Sequence, residues 1–302
     1  MDLSGKVAVV TGSGRGLGLA YATRLASCGA AVVVNDVDAD AADAAADGIR
    51  AAGGKAVAVA AAVGSSEAAQ QIVDAAVEEY GRLDVLVANA GVLRDKVLWK
   101  MTDDDFDTVV GVHLRGTFTT GRAAAIQMKA QGEGGRLILV GSPAGQFGNF
   151  GQTNYAAAKA GIVAFAKVWA MELARDRITA NAIVPVAATA MTATVPFLKP
   201  YADALEAGEP LPAYARRDLA FGTPEDVAGL VAFLASDAAA GITGQAVGVG
   251  GDRLSLYSRT DHLVSEYHDG GWSEDDIAAG WDETFAPHQQ PVGEQLPEPR
   301  NA

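Results

Sequence analysis

Short apolar, β-branched runs alternate with alanine-rich stretches along most of the chain. The runs fall at 7–10, 31–35, 55–60, 85–89, 136–140, 179–184 and 245–249. Such runs, bounded by turn residues, fit strands buried on both faces, and the stretches between them are long enough for right-handed helical crossovers. Seven strands separated by helices predict one doubly wound α/β domain: a seven-stranded parallel sheet flanked by helices. Thr223-Pro224-Glu225-Asp226 marks one helix start, with an N-cap hydroxyl, an N1 proline and an acidic N3. The alternation breaks at 186–222, where prolines punctuate a run with Met191, Val195, Phe197, Leu198, Tyr201, Leu205, Leu211 and Tyr214, which suits a lid. The domain is therefore expected at 1–251 and a helical C-terminal extension at 252–302. In the extension, Trp272-Ser273-Glu274-Asp275-Asp276 opens an amphipathic helix running through Trp281 and Phe285. Three large aromatics on one short helix should pack on this subunit or a neighbouring one.

Composition narrows the setting. Hydrophobic residues make up 49% of the 302 and charged residues 20%, enough apolar material for a large core. The formal charge of −14 disfavours nucleic acid and anionic membrane surfaces as partners. A single cysteine, Cys28, reads as a small core hydrophobe, and no Cys/His cluster offers a metal site. His262, His268 and His288 lack ligand spacing. The first apolar run is too short for a signal core or a membrane span, so a cytoplasmic setting is expected.

The first chemical feature is Thr11-Gly12-Ser13-Gly14-Arg15-Gly16-Leu17-Gly18, placed between the first strand and a helix. Glycines let the backbone turn tightly and approach a pyrophosphate, and the following helix N-terminus offers free N–H donors. The second strand ends at Asn35-Asp36, where a carboxylate can accept from ribose hydroxyls and repel a 2′-phosphate. Asp36 thus points to NAD over NADP, while Arg15 pulls the other way as a cation that could meet a 2′-phosphate. The second feature is Tyr155 and Lys159, spaced i, i+4 and so on one helix face. A nearby ammonium should draw the tyrosine down from about 10 toward the range of a general base. Ser142, thirteen positions earlier, can hydrogen-bond the substrate oxygen as charge shifts onto it.

Together these residues resemble the short-chain dehydrogenase/reductase family over about 1–251, with its Rossmann-type fold. The glycine loop, Asn89-Ala90-Gly91, Ser142, Tyr155-x-x-x-Lys159 and Asn181-Ala182-Ile183-Val184-Pro185 stand in the family's order. The resemblance implies hydride transfer between a secondary alcohol and a nicotinamide, with Tyr155 as acid/base. It implies that Gly12, Arg15, Gly16, Leu17, Gly18 and Asp36 hold the adenosine diphosphate end. It also places Asn89, Ala90, Gly91 and Lys159 at the riboses, and Val184, Pro185, Val186 and Thr189 beside the nicotinamide. Two departures stand out. Where the family has a catalytic asparagine, this chain reads Val112-His113-Leu114-Arg115-Gly116; His113 either carries a water-linked proton relay or is simply packed. Where the family has an aspartate at adenine stands Ala62, which leaves that contact to Val63 and backbone.

Val-His113-Leu-Arg-Gly, Gly148-Asn149-Phe150-Gly151-Gln152 and Leu93-Arg94-Asp95 resemble the (3R)-hydroxyacyl-CoA dehydrogenase region of peroxisomal multifunctional enzyme type 2 and its stand-alone bacterial relatives. The implied substrate is a hydrophobic 3-hydroxyacyl or steroid-derived CoA thioester. Lys199, Arg216 and Arg217 could meet CoA phosphates or simply be solvated. Alternatives are a steroid or terpenoid alcohol dehydrogenase, a 3-oxoacyl-carrier-protein reductase, and a non-catalytic NAD-binding regulator. A homodimer or homotetramer is implied, built on the helices carrying Tyr155 and His113.

Overall fold

The structure is a computed structural model that describes residues 1–189, 192 and 197–296. Strands β1 (Val7–Thr11), β2 (Ala31–Asp36) and β3 (Lys55–Ala60) alternate with helices α1 (Gly16–Ser27), α2 (Ala39–Ala51) and α3 (Ser66–Tyr80). Strand β4 (Val85–Ala88) leads to α4 (Asp103–Val110), a π-helical turn at Gly111–Arg115 and α5 (Gly116–Gln131). Then come β5 (Gly135–Val140), α6 (Ala144–Phe147), α7 (Thr153–Glu172), β6 (Ile178–Pro185), α8 (Lys199–Glu206), α9 (Pro224–Ala235), β7 (Ala246–Gly250), β8 (Arg253–Leu256) and α10 (Glu274–Gly280).

The sheet order is β3-β2-β1-β4-β5-β6-β7-β8, parallel throughout except that β8 runs antiparallel to β7. The sheet therefore has eight strands, where the hydrophobic pattern gave seven. The extra one is supplied by the start of the extension, through a two-residue turn at Gly251-Asp252 in which Gly251 takes φ +48°. Alternation along each strand splits the core in two. Ala8 and Val10 pack with α1, α2 and α9, whereas Val7 and Val9 pack with α3, α5 and α7.

Helix starts follow their local chemistry. Thr223 and Asp226 form the expected capping box on α9, and Ser273 and Asp276 form one on α10. The aromatics of the extension pair locally: Trp281 stacks on Phe285 at 5.4 Å, and Trp272 meets His268 at 5.4 Å. In the 186–222 segment, Leu198, Ala202, Leu219 and Phe221 form a small separate core with Tyr201, Leu205, Leu211 and Tyr214 around it. Met191 and Val195 lie outside the described residues. Among the described residues no helix is long and apolar enough to cross a membrane, and no group of three His, Cys, Asp or Glu could hold a metal.

Candidate active site

The C-terminal ends of β1, β2, β4, β5 and β6 open onto one cavity of about 1400 Å³. It lies where the connections from β1 run to β2 on one side and the sheet continues to β4 on the other, the place where an open α/β sheet exposes a crevice. Gly12, Arg15, Gly16, Leu17, Gly18, Asp36, Val63, Asn89, Ala90, Gly91, His113, Ser142, Tyr155, Lys159, Pro185, Val186 and Thr189 all line it. Val184 is buried in β6 and stands outside the lining.

The glycine loop is packed too tightly for side chains. A Cβ on Gly12 would lie 2.7 Å from the Ala90 Cα, and one on Gly18 would lie 2.1 Å from the Gly12 carbonyl oxygen. No side chain caps the first turn of α1, which leaves its amides for an anionic ligand. Asp36 ends β2 with its carboxylate accepting from the Gly14 N–H at 3.0 Å and the Asp38 N–H at 3.2 Å. Its remaining lone pairs border the cavity. Arg15 is exposed and bound to Asp38 at 2.5 Å, so a neighbouring carboxylate already offsets its charge. An uncapped helix start beside a carboxylate fits the pyrophosphate and ribose of a dinucleotide.

Asn89, expected at the riboses, also holds this end together, with Thr11 and Asn35, whose side chains the motifs did not single out. Asn89 donates through Nδ2 to the carbonyls of Thr11 and Gly12 at 3.0 and 2.9 Å, and the Thr11 hydroxyl accepts from the N–H groups of Asn89 and Ala90. Asn35 clamps β2 to the Val59 and Ala61 carbonyls. For Asn35 the sequence signal was only an asparagine at a strand end.

At the other end, Ser142 follows β5 and Tyr155 sits in the first turn of α7. Asn154 is fully buried, donates to the carbonyls of Arg94 (3.2 Å) and Asp105 (3.0 Å), and accepts from the Tyr155 N–H at 2.8 Å. It thereby fixes the start of α7 against the 92–105 segment. Lys159 is buried one turn on, donates to the Val140 carbonyl at 2.6 Å and lies 5.5 Å over the Tyr155 ring. Burial lowers Lys159 to about 7. Burial raises the Tyr155 hydroxyl above its usual value, while a hydrogen bond with Ser142 pulls it back and the Asp95 charge adds to the rise. The sequence expectation was a tyrosine drawn down by its lysine. The structure differs because desolvation acts on both groups and the ammonium is turned to a carbonyl.

His113 lies in the π-helical turn, almost fully buried. Its Nε2 is within hydrogen-bond distance of the Val92 N–H (3.0 Å) and carbonyl (2.9 Å), and its buried Nδ1 has no protein partner. Burial first, then the Lys159 charge, lowers it to about 3, so it is neutral at ordinary pH. The 186–222 cations stand elsewhere. Lys199 pairs with Asp203, Arg216 with Asp226 and Asp252, and Arg217 is exposed; none of the three lines the cavity. All three have carboxylate neighbours on their own or a neighbouring segment, and Lys199 and Arg217 stay largely exposed.

The model of the short chain dehydrogenase family matches residues 6–196. The chain belongs to that family. It is an oxidoreductase of CH–OH donors, and the family uses nicotinamide nucleotides. Among relatives, the hydroxyacyl-CoA dehydrogenase ChsB1 of Mycobacterium tuberculosis is 43% identical, over 94% of this chain and 90% of the relative. The peroxisomal hydratase-dehydrogenase-epimerase of Neurospora crassa is 39% identical over 97% of this chain, which spans only 32% of that protein. The 3-oxoacyl-[acyl-carrier-protein] reductase of Synechocystis is 42% identical over 82% of this chain and 97% of the reductase. Roughly a fifth of this chain thus has no counterpart in the reductase.

Proposed function

We propose that the protein is an NAD-dependent dehydrogenase that interconverts a secondary alcohol and a ketone on a bulky hydrophobic body, carried as a 3-hydroxyacyl-CoA thioester. The observation that carries this reading is the meeting of Ser142, Tyr155 and Lys159 in the cavity that also holds the glycine loop and Asp36. When bound, the nicotinamide supplies the carbon that takes or gives the hydride. Gly12, Gly16, Leu17 and Gly18 would hold the pyrophosphate, Asp36 the adenosine ribose, Val63 the adenine, Asn89, Ala90, Gly91 and Lys159 the riboses, and Pro185, Val186 and Thr189 the nicotinamide side. Asp36, with Arg15 already offset by Asp38, favours the cofactor without a 2′-phosphate.

Tyr155 donates its hydroxyl proton to a ketone oxygen or takes the proton of an alcohol. Ser142 hydrogen-bonds the same oxygen and the tyrosine. Lys159, 5.5 Å over the Tyr155 ring and held on the Val140 carbonyl, adds its positive charge to the site while it stays protonated, up to about pH 7. His113, neutral and tied to Val92, holds the loop and the tyrosine ring in place. The outer cavity bears Leu93, Phe147, Phe150, Phe197, Leu198 and Leu219, a wall for an apolar body.

The relatives' names support a CoA ester or a carrier-protein thioester, and the first named spans nearly the whole chain. A second reading, a steroid or terpenoid alcohol dehydrogenase, draws on the apolar wall of Leu93, Phe147, Phe150, Phe197, Leu198 and Leu219. The deciding assay is NADH formation from a bulky (3R)-hydroxyacyl-CoA beside the corresponding free alcohol. Turnover that needs the CoA supports the thioester reading, and turnover of the free alcohol alone overturns it.

A further inference from the structure

Val292, Gly293, Glu294 and Leu296, from the extension, line the same cavity as Ser142 and Tyr155. Two attachments hold them there. The Gly293 N–H donates to the Phe147 carbonyl at 2.9 Å, with Gly293 at φ +83°, and the Phe147 ring packs on Tyr257 just after β8. Glu294 lies 4.0 Å from Arg253 of β8, whose guanidinium also donates to the Asp218 carbonyl at 2.8 Å. The Gln295 side chain closes back on the Val292 and Gly293 carbonyls. Residues 292–296 are thus a strap clipped to the end of α6 and to the sheet edge.

The charges around the cavity are unevenly placed. Arg15, Asp36 and Asp38 stand at the glycine-loop end, and Lys159 is buried behind Tyr155. Among the lining residues drawn from 92–95, 147–152 and 292–296, the charged side chains are Asp95 and Glu294, both carboxylates. Asp95 accepts from the Gln152 amide at 2.7 Å, and partial burial raises the Glu294 carboxyl above its usual value while the Arg253 charge opposes the rise. Both carboxylates reach solvent at the cavity mouth, and a carboxylate carried in beside them meets like charge there, weakened by the water around it but not abolished at contact distance.

We propose that the strap is a substrate-selecting wall and that Glu294 sorts by charge, admitting a hydrophobic body that is neutral inside the cavity and rejecting one with a carboxylate there. This rests on the reading that the outer cavity receives substrate. The extension it belongs to is about as long as the part of the chain that the carrier-protein reductase lacks, while the hydroxyacyl-CoA dehydrogenase relative matches nearly full length.

The test is calorimetric titration of the full-length, NAD-loaded protein at pH 8 with a neutral hydroxysteroid and with the same skeleton bearing a side-chain carboxylate. The parent should bind the neutral ligand at least tenfold more tightly. Glu294→Gln should narrow that ratio to within threefold. Gly293→Pro, which removes the N–H that holds the strap and cannot take φ +83°, should narrow it likewise. A ratio unchanged in Glu294→Gln, or no binding of either ligand to the parent, overturns the proposal. The titration needs no turnover, so a thioester that stays inert in the rate assay sinks the proposed activity without deciding the role of Glu294.

Discussion

The His113 ring meets Tyr155 edge-on, with centroids 5.1 Å apart and planes at 88°. The imidazole is also the group that would collide with any side chain at Gly91, where a Cβ would lie 2.2 Å from its Cε1. His113 therefore sets the spacing between the tyrosine and the strand end that faces it. An edge-to-face pair contributes about 0.5–1.5 kcal/mol, so His113→Leu should lower kcat by roughly tenfold. The alkaline limb of the pH profile should stay where it is, because the imidazole carries no charge there. A shift of that limb in the variant would restore the proton-relay role.

His113 also makes stability depend on pH. Its value falls from about 6.5 when unfolded to about 3 in the fold, so the unfolded chain binds the extra proton. The contribution is complete above about pH 6.5 and is lost as pH falls toward 3, by about 2 kcal/mol at pH 5. Urea unfolding of the parent and His113→Leu at pH 7 and pH 5 should show the loss in the parent alone.

Burial favours the protonated tyrosine, so alcohol oxidation, which needs the phenolate, should accelerate with rising pH, while ketone reduction should hold level until Tyr155 ionises. Initial rates in both directions across pH 6–10.5 check this. Tyr155→Phe should cost about 10²–10⁴-fold in kcat with cofactor affinity largely retained. Cofactor binding with no tyrosine-dependent turnover in any direction would instead mark a non-catalytic regulator.

Asp36 accepts from two backbone amides and borders the cavity. Hydrogen bonds to a charged group contribute about 1.5–3 kcal/mol. Asp36→Ala should therefore weaken NAD by roughly 10–100-fold and improve NADP relative to it, read as Kd from cofactor fluorescence. Equal weakening of both cofactors would show that Asp36 only shapes the glycine loop.

Asn154 joins Tyr155 to Arg94 and Asp105 through three hydrogen bonds in a buried setting. Asn154→Ala leaves buried carbonyls unpaired, at about 1–3 kcal/mol for each group. Thermal unfolding should drop by several degrees, and kcat should fall through a displaced tyrosine. A variant with parent stability would show that water replaces the amide.

The hydrophobic alternation along the chain was enough to place seven strands, because short β-branched runs bounded by turn residues and spaced by alanine-rich stretches suit a sheet largely covered on both faces. The glycine loop, Asp36, Ser142, Tyr155 and Lys159 were legible for a related reason: their roles depend on residue type and on short spacings within one strand end or one helix turn. Local sequence does not encode what distant segments do to one another. β8 pairs with β7 across a two-residue turn, and its short Arg-Leu-Ser-Leu pattern is too brief to mark it. Lys159 meets the Val140 carbonyl from 19 positions away, so its turn from the expected partner and the rise at Tyr155 are products of packing. Arg216 is paired with Asp226 and Asp252, and Glu294 reaches a cavity built around Tyr155. Charge and burial at a site depend on which segments come together, and desolvation acts only once they have.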